Sequence, residues 1–306
     1  LVDANAIIRG ASTVSGTYSV TAGGVVSDSG DLDIEGATTI LASGSNVVLD
    51  RATHDFTGAV GVTGAAVELV DANGIDLGAS TVSGTYAVTA TAGDISNSGN
   101  LVITGAATFI TTAADSNIIL GQSGNAFTST VTMQAGDGSA DFGNITFVDS
   151  AAVRLHTSAQ SAGDLYINAA TDGAVDGNLS VTANGDITQT VALAVTGTTT
   201  LVAGGNDITL DTSTNNFATV VITSGRNVAL RDAGAIILGA ATVSGTYGIT
   251  AGGHITDDGA QEIAGVTTLV AGGNDITLDT STNNFAAAVV ITSGRNVAIT
   301  DEDAIV

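Results

Sequence analysis

The chain has no cysteine, no proline, no tryptophan and no lysine among its 306 residues. Without cysteine there is no disulfide framework, thiolate nucleophile or thiolate metal site. Without proline every backbone N–H remains available to a hydrogen-bond ladder. Aromatic residues make up only 4%, and the six basic residues, all arginine, face 30 acidic ones. A net charge of −24 excludes the basic stripe that phosphate contact requires, so no nucleic-acid partner is expected. No apolar run reaches the ~18–20 residues of a membrane helix, so no membrane insertion is expected either.

What is present is repetition. Leu201–Phe217 reads LVAGGNDITLDTSTNNF and returns unchanged at Leu269–Phe285. ASTVSGTY at Ala11–Tyr18 returns at Ala79–Tyr86, and as AATVSGTY at Ala240–Tyr247. A degraded copy, VDGNLSVTANGDI, covers Val175–Ile187, with Leu179 in the Tyr place. The offset between copies is 68 positions, and repeats of this kind signify stacked modules that bury their faces on one another. Four blocks are expected, at 11–78, 79–171, 172–239 and 240–306, forming one continuous solenoid. The second holds about one extra coil, in the non-repetitive stretch 136–175 that includes His156 and Tyr166.

Within each block, apolar and polar residues alternate over four to six positions, as in Asp207-Ile-Thr-Leu-Asp, between Gly, Asn or Asp turns. Such alternation reads as short strands with one face buried. The landmarks Val20, Leu41, Val62 and Val88 divide the first block into three coils of roughly 21–26 residues. The fold expected is all-β: a right-handed parallel β-helix of about 13 coils, each strand pairing with its equivalent one coil on, about 4.8 Å away. Phe56, Phe127, Phe217 and Phe285 share one phase, and Tyr18, Tyr86 and Tyr247 another. These rings read as core or corner plugs, too far apart at three coils' separation to touch directly.

Catalytic signals are weak. His54, His156 and His254 share no phase, and no nucleophile elbow, zinc-protease or phosphate-loop pattern is present. The Gly-Gly pairs at 204–205 and 272–273 precede no helix, so they read as turns. The nearest candidate for a polysaccharide-cleaving cluster is Arg154 with Asp141, Asp149 and Asp164. No catalytic or cofactor-binding residue is assigned. Calcium is the one metal worth weighing, since GGNDITLD resembles an acidic calcium repeat without its tandem glycine spacing. Its candidate ligands are Asp207, Asp211, Asp275 and Asp279, where a hard cation would relieve repulsion between stacked carboxylates.

The phrases LVAGGNDITLD, NNFxxxVxITSGRNVxLxD and LGAxTVSGTYxVTA resemble the repeats of filamentous haemagglutinin and other two-partner-secreted or autotransporter-like bacterial adhesins. The resemblance covers nearly everything outside roughly 136–175. It implies a right-handed parallel β-helix and an extended, extracellular or surface-attached shaft, and it transfers no functional residue. Both ends fall inside the repeat phase, so a segment of something longer is expected. The expected partners are further copies of the same repeat, in the same chain or end to end, and a host or neighbouring-cell surface. The alternatives are a self-assembling filament or surface-layer subunit and, from another class, a carbohydrate-active enzyme.

Overall fold

The computed structural model describes residues 1–137, 143–156, 164–167, 174–175 and 177–305. It is an all-β, parallel-stranded solenoid with 39 short strands and no helix among the described residues. At about three strands per turn this makes about 13 turns. The chain forms two compact units: residues 1–150 with 158–171, and residues 151–157 with 172–306.

The alternation in the sequence sets which side of each strand is buried. In Tyr18–Ala22 the side chains of Tyr18, Val20 and Ala22 point inward, and Ser19 and Thr21 point outward. In the first unit one face runs through the register Val26, Val47, Val67, Tyr86, Ala107, Val131 and Leu165, each paired in parallel with the next. In the second unit a face runs through Val153, Ile187, Ile208, Val228, Tyr247, Thr267 and Val289. The coil length varies, from Val60 paired with Leu77 to Val131 paired with Leu165. That is wider than the 21–26 residues read from the sequence.

The block does not divide into three whole coils. Val20 pairs with Ile40 and Ile40 with Val62, but Val88, the repeat copy of Val20, pairs with Leu69. Ten strands lie in the 68-residue block, from Tyr18–Ala22 to Ser80–Val82. At three strands per coil one is left over, so the copy begins one strand further around the solenoid. Coil length absorbs the difference while the inside–outside alternation is kept.

The interior holds Val, Ile and Leu in columns, nearly all fully buried. All seven repeated rings lie in it: Tyr18 is the most exposed at 7%, and Phe56, Phe127, Phe217, Phe285, Tyr86 and Tyr247 are buried. Phe109 and Phe147, from other phases, fill the gaps between them. Tyr86 meets Phe109 edge-on at 5.8 Å, Phe109 meets Phe127 at 6.2 Å, and Phe127 meets Phe147 at 5.2 Å. Phe109 thus links Tyr86 to Phe127, one ring from each phase, at spacings suited to aromatic pairs.

At the turns, successive coils approach so closely that only glycine fits. A Cβ on Gly36 would lie 2.5 Å from the Gly16 carbonyl, and one on Gly58 would overlap the Gly36 carbonyl in the same way. A different constraint acts at Gly204 and Gly272, whose φ of +58° and +57° lies in the left-handed region. We expect Gly36→Ala to destabilise the first unit by at least about 1 kcal/mol, because a backbone atom must shift. Gly205→Ala, with open space around its Cβ, should stay within about 0.5 kcal/mol. Urea unfolding of the two variants checks this; equal midpoints would contradict it.

Candidate functional site

Among the described residues the most regular chemistry sits at one kind of corner, built four times. His54, Asn125, Asn215 and Asn283 are all fully buried, each two residues before Phe56, Phe127, Phe217 or Phe285. Each side chain accepts a backbone N–H from the preceding coil. His54 Nδ1 takes Leu32 at 2.9 Å, Asn125 Oδ1 takes Leu101 at 3.0 Å, and Asn215 and Asn283 take Leu193 and Gln261, both at 2.9 Å. The phenylalanine that follows donates its own N–H to an aspartate of the next coil. Phe56 reaches Asp71 at 2.8 Å, Phe127 Asp149 at 3.4 Å, Phe217 Asp232 at 2.6 Å and Phe285 Asp301 at 3.2 Å. A strand that turns a corner loses its ladder partner, and an unpaired buried amide costs about 1–3 kcal/mol. These side chains supply the missing acceptors.

Of the corner aspartates, Asp71, Asp149 and Asp232 are buried. Asp71 also accepts the Asn73 N–H at 2.7 Å, and Asp232 the Gly234 N–H at 2.7 Å. Burial nevertheless outweighs these bonds, pushing the Asp71 carboxyl up to about 6 and raising that of Asp232.

A second ladder runs on the exposed side, where an Asx or His side chain caps the amide one coil on. Asp94 caps Asn117, and Asn117 caps Asn144. Asp186 caps Asp207, Asp207 caps Asn227, and Asn227 caps Thr246. His254 caps Asp275, and Asp275 caps Asn296. The calcium candidates Asp207 and Asp275 stand in this ladder, each gripped by two guanidinium nitrogens. Arg226 reaches Asp207 at 2.7 and 2.9 Å, and Arg295 reaches Asp275 at 2.8 and 2.7 Å. The Arg226 bonds hold the Asp207 carboxyl down to about 2, and Arg295 holds Asp275 well below the usual range. Asp211 and Asp279 are exposed on a different turn, where the Asp279 N–H donates to Asp257 at 3.0 Å. Among the described residues no three His, Asp or Glu side chains gather as metal ligands would. The repulsion that calcium was expected to relieve is met at two of the four candidates by arginine.

The candidate cleaving cluster is only partly visible. Asp149 is 5% exposed and serves as the corner acceptor for Phe127. Arg154 lies in the strand Val153–His156 and pairs with Thr188. Asp141 and the side chains of Asp164, His156 and Tyr166 lie outside the described residues. A polar cleft of about 530 Å³ in the first unit holds Asp76 and Asp94. Both carboxylates are committed to amides one coil on, Asp76 to Ser98 at 2.7 Å and Asp94 to Asn117 at 2.7 Å.

The corner residues escape a motif search, though their letters are in the repeat. Asn215, Phe217 and Asp232 all lie within NNFATVVITSGRNVALRD. A buried polar residue two places before each repeated phenylalanine was the available signal.

A family model described as repeats of unknown function (DUF5649) matches the chain four times, at residues 1–63, 64–134, 162–224 and 225–292. Residues 135–161 fall between the second and third copies, within the stretch where the sequence repetition lapses. A search of curated proteins found no match, and neither did a search of solved structures.

The two kinds of carboxyl give opposite pH dependences. A corner acid with a raised value binds its proton more tightly folded than unfolded, so its stabilisation is complete below about pH 4 and lost as pH rises through about 6. An arginine-bound acid stabilises above about pH 4 and loses its effect as pH falls through about 2. Between pH 4 and 7 Asp71 should therefore cost the fold up to about 3 kcal/mol. We expect Asp71→Asn to remove that loss, so that the difference in unfolding free energy between variant and wild type shifts toward the variant by this amount. A pH-independent difference would contradict the assignment.

Proposed function

The chain belongs to that repeat family, and we propose that it is a structural shaft segment of an extracellular bacterial adhesin or fibre, without enzymatic activity. The observation that favours this reading is the corner device itself. The same acceptor–phenylalanine–aspartate arrangement serves four times, and its polar groups are spent on holding one coil to the next. A catalytic centre requires one irregular place with uncommitted groups. In the described residues the acids of the polar cleft and of the corners are committed to backbone amides.

The composition is consistent with a shaft exposed to solvent. Its charge is strongly one-signed, which keeps long molecules apart in solution. Its partners in this reading are further copies of the same repeat, within one chain or end to end, and a host or neighbouring-cell surface. Calcium is given no part in it, because Arg226 and Arg295 already neutralise the two ladder carboxylates.

Cryo-electron microscopy of native material tests the proposal. A continuous fibre with rungs about 4.8 Å apart is expected. Discrete particles that release reducing ends from an acidic polysaccharide would replace the shaft with the enzyme reading.

A further inference from the structure

We propose that His54 makes the first of the four corners an acid-sensitive latch, which opens the link between the coil carrying Leu32 and the coil carrying Phe56 when the imidazole is protonated. The other three corners hold asparagine at this place, and an amide oxygen accepts a hydrogen bond at any ordinary pH. An imidazole accepts only while neutral. Nδ1 takes the Leu32 N–H at 2.9 Å, so the ring proton must be on Nε2. A proton added at Nδ1 would face the Leu32 N–H donor to donor, and that bond would be lost.

The surroundings make the site a poised one. The ring is fully buried, packed 5.6 Å from Phe56. Nε2 has no hydrogen-bond partner and lies 3.6 Å from Asp28 Oδ1, whose side chain is 3% exposed. The charged groups around it are Asp28 and Asp31 on the preceding coil, Arg51 on its own turn and Asp71 on the next coil. Arg51 sits 2.8 Å from Asp31 and 3.7 Å from Asp28, so it takes up much of their charge. Asp31 is further bound by Thr53 at 2.6 Å. Asp71 bonds the Phe56 amide, not the ring. Burial, the largest effect, disfavours the imidazolium; Asp28 favours it.

The direction follows from the geometry. The closed corner binds no second proton at the ring, and the open one binds it as an ordinary histidine does, near 6.5. The stability that His54 gives this corner is therefore present above about pH 6.5 and lost as pH falls below it, opposite in sign to the effect of Asp71. The limiting dependence is about tenfold in the opening equilibrium per pH unit.

Hydrogen exchange resolved by residue tests this on the full chain. Between pH 7.5 and 5.5, corrected for intrinsic exchange, opening at the Leu32 amide should rise several-fold. Leu101 and Leu193, whose acceptors are Asn125 and Asn215, should stay unchanged. His54→Asn copies the other corners, and in it Leu32 should lose the acid response. The ¹⁵N shifts of the imidazole provide an independent readout, with the proton on Nε2 at pH 7.5 expected. An unchanged Leu32 in the wild type, an acid response that survives His54→Asn, or a ring proton on Nδ1 would each overturn the proposal.

Discussion

The described corners of this solenoid depend on giving their amides an acceptor. Along the flat faces the parallel ladder provides one automatically, since each strand lies beside its neighbour from the next coil. At a corner the backbone turns out of register and the ladder stops. Leu193 at one such place is met by Asn215, and Phe217 by Asp232, each one coil away. The side chains that do this are buried and polar, which only a hydrogen bond makes tolerable. The inward columns keep the alternation while the residue changes from coil to coil, as in Tyr86 beside Ala107 and Tyr247 beside Thr267. The glycine column at Gly16, Gly36 and Gly58 completes the arrangement by letting adjacent turns touch.

The parallel, coiled architecture was legible in the sequence because two periods coincide there: the alternation within a strand and the 68-residue return of whole phrases. The burial of Tyr86 and Phe217 follows from the same phase argument. Other features escaped for physical reasons. Coil length varies with the turns, so the landmark Val88 looked like the successor of Val62 when it pairs with Leu69. Asn215 and Asp232 looked like ordinary turn residues, because a corner acceptor and a solvent-facing cap have the same composition. For Asn215 the distinguishing mark is the position two before a phenylalanine, which acquires meaning only once the coils are stacked. The pairing of Asp207 with Arg226 was hidden likewise, since the two belong to different coils.

Carboxylates thus do two jobs in one chain. Asp71 and Asp232 at corners are buried acceptors whose charge is a cost; Asp207 and Asp275 on the outer ladder are partly exposed and bound by arginine. Histidine takes part in both ladders, at position 54 inside and 254 outside, and in each it accepts a backbone amide from the adjacent coil. Among the described residues these side chains are spent on backbone amides, and the shaft reading rests on that. It also means that conditions which alter the protonation of a few side chains act on the contacts between coils.

The central claim is that buried side-chain acceptors at the corners hold neighbouring coils together. It is tested most directly by the exchange protection of the Leu193 amide in Asn215→Ala, with Asn216→Ala as the exposed control. The account predicts that Asn215→Ala loses protection at Leu193 and about 1–3 kcal/mol of stability, while the control does neither. Equal protection of Leu193 in the two variants would contradict it.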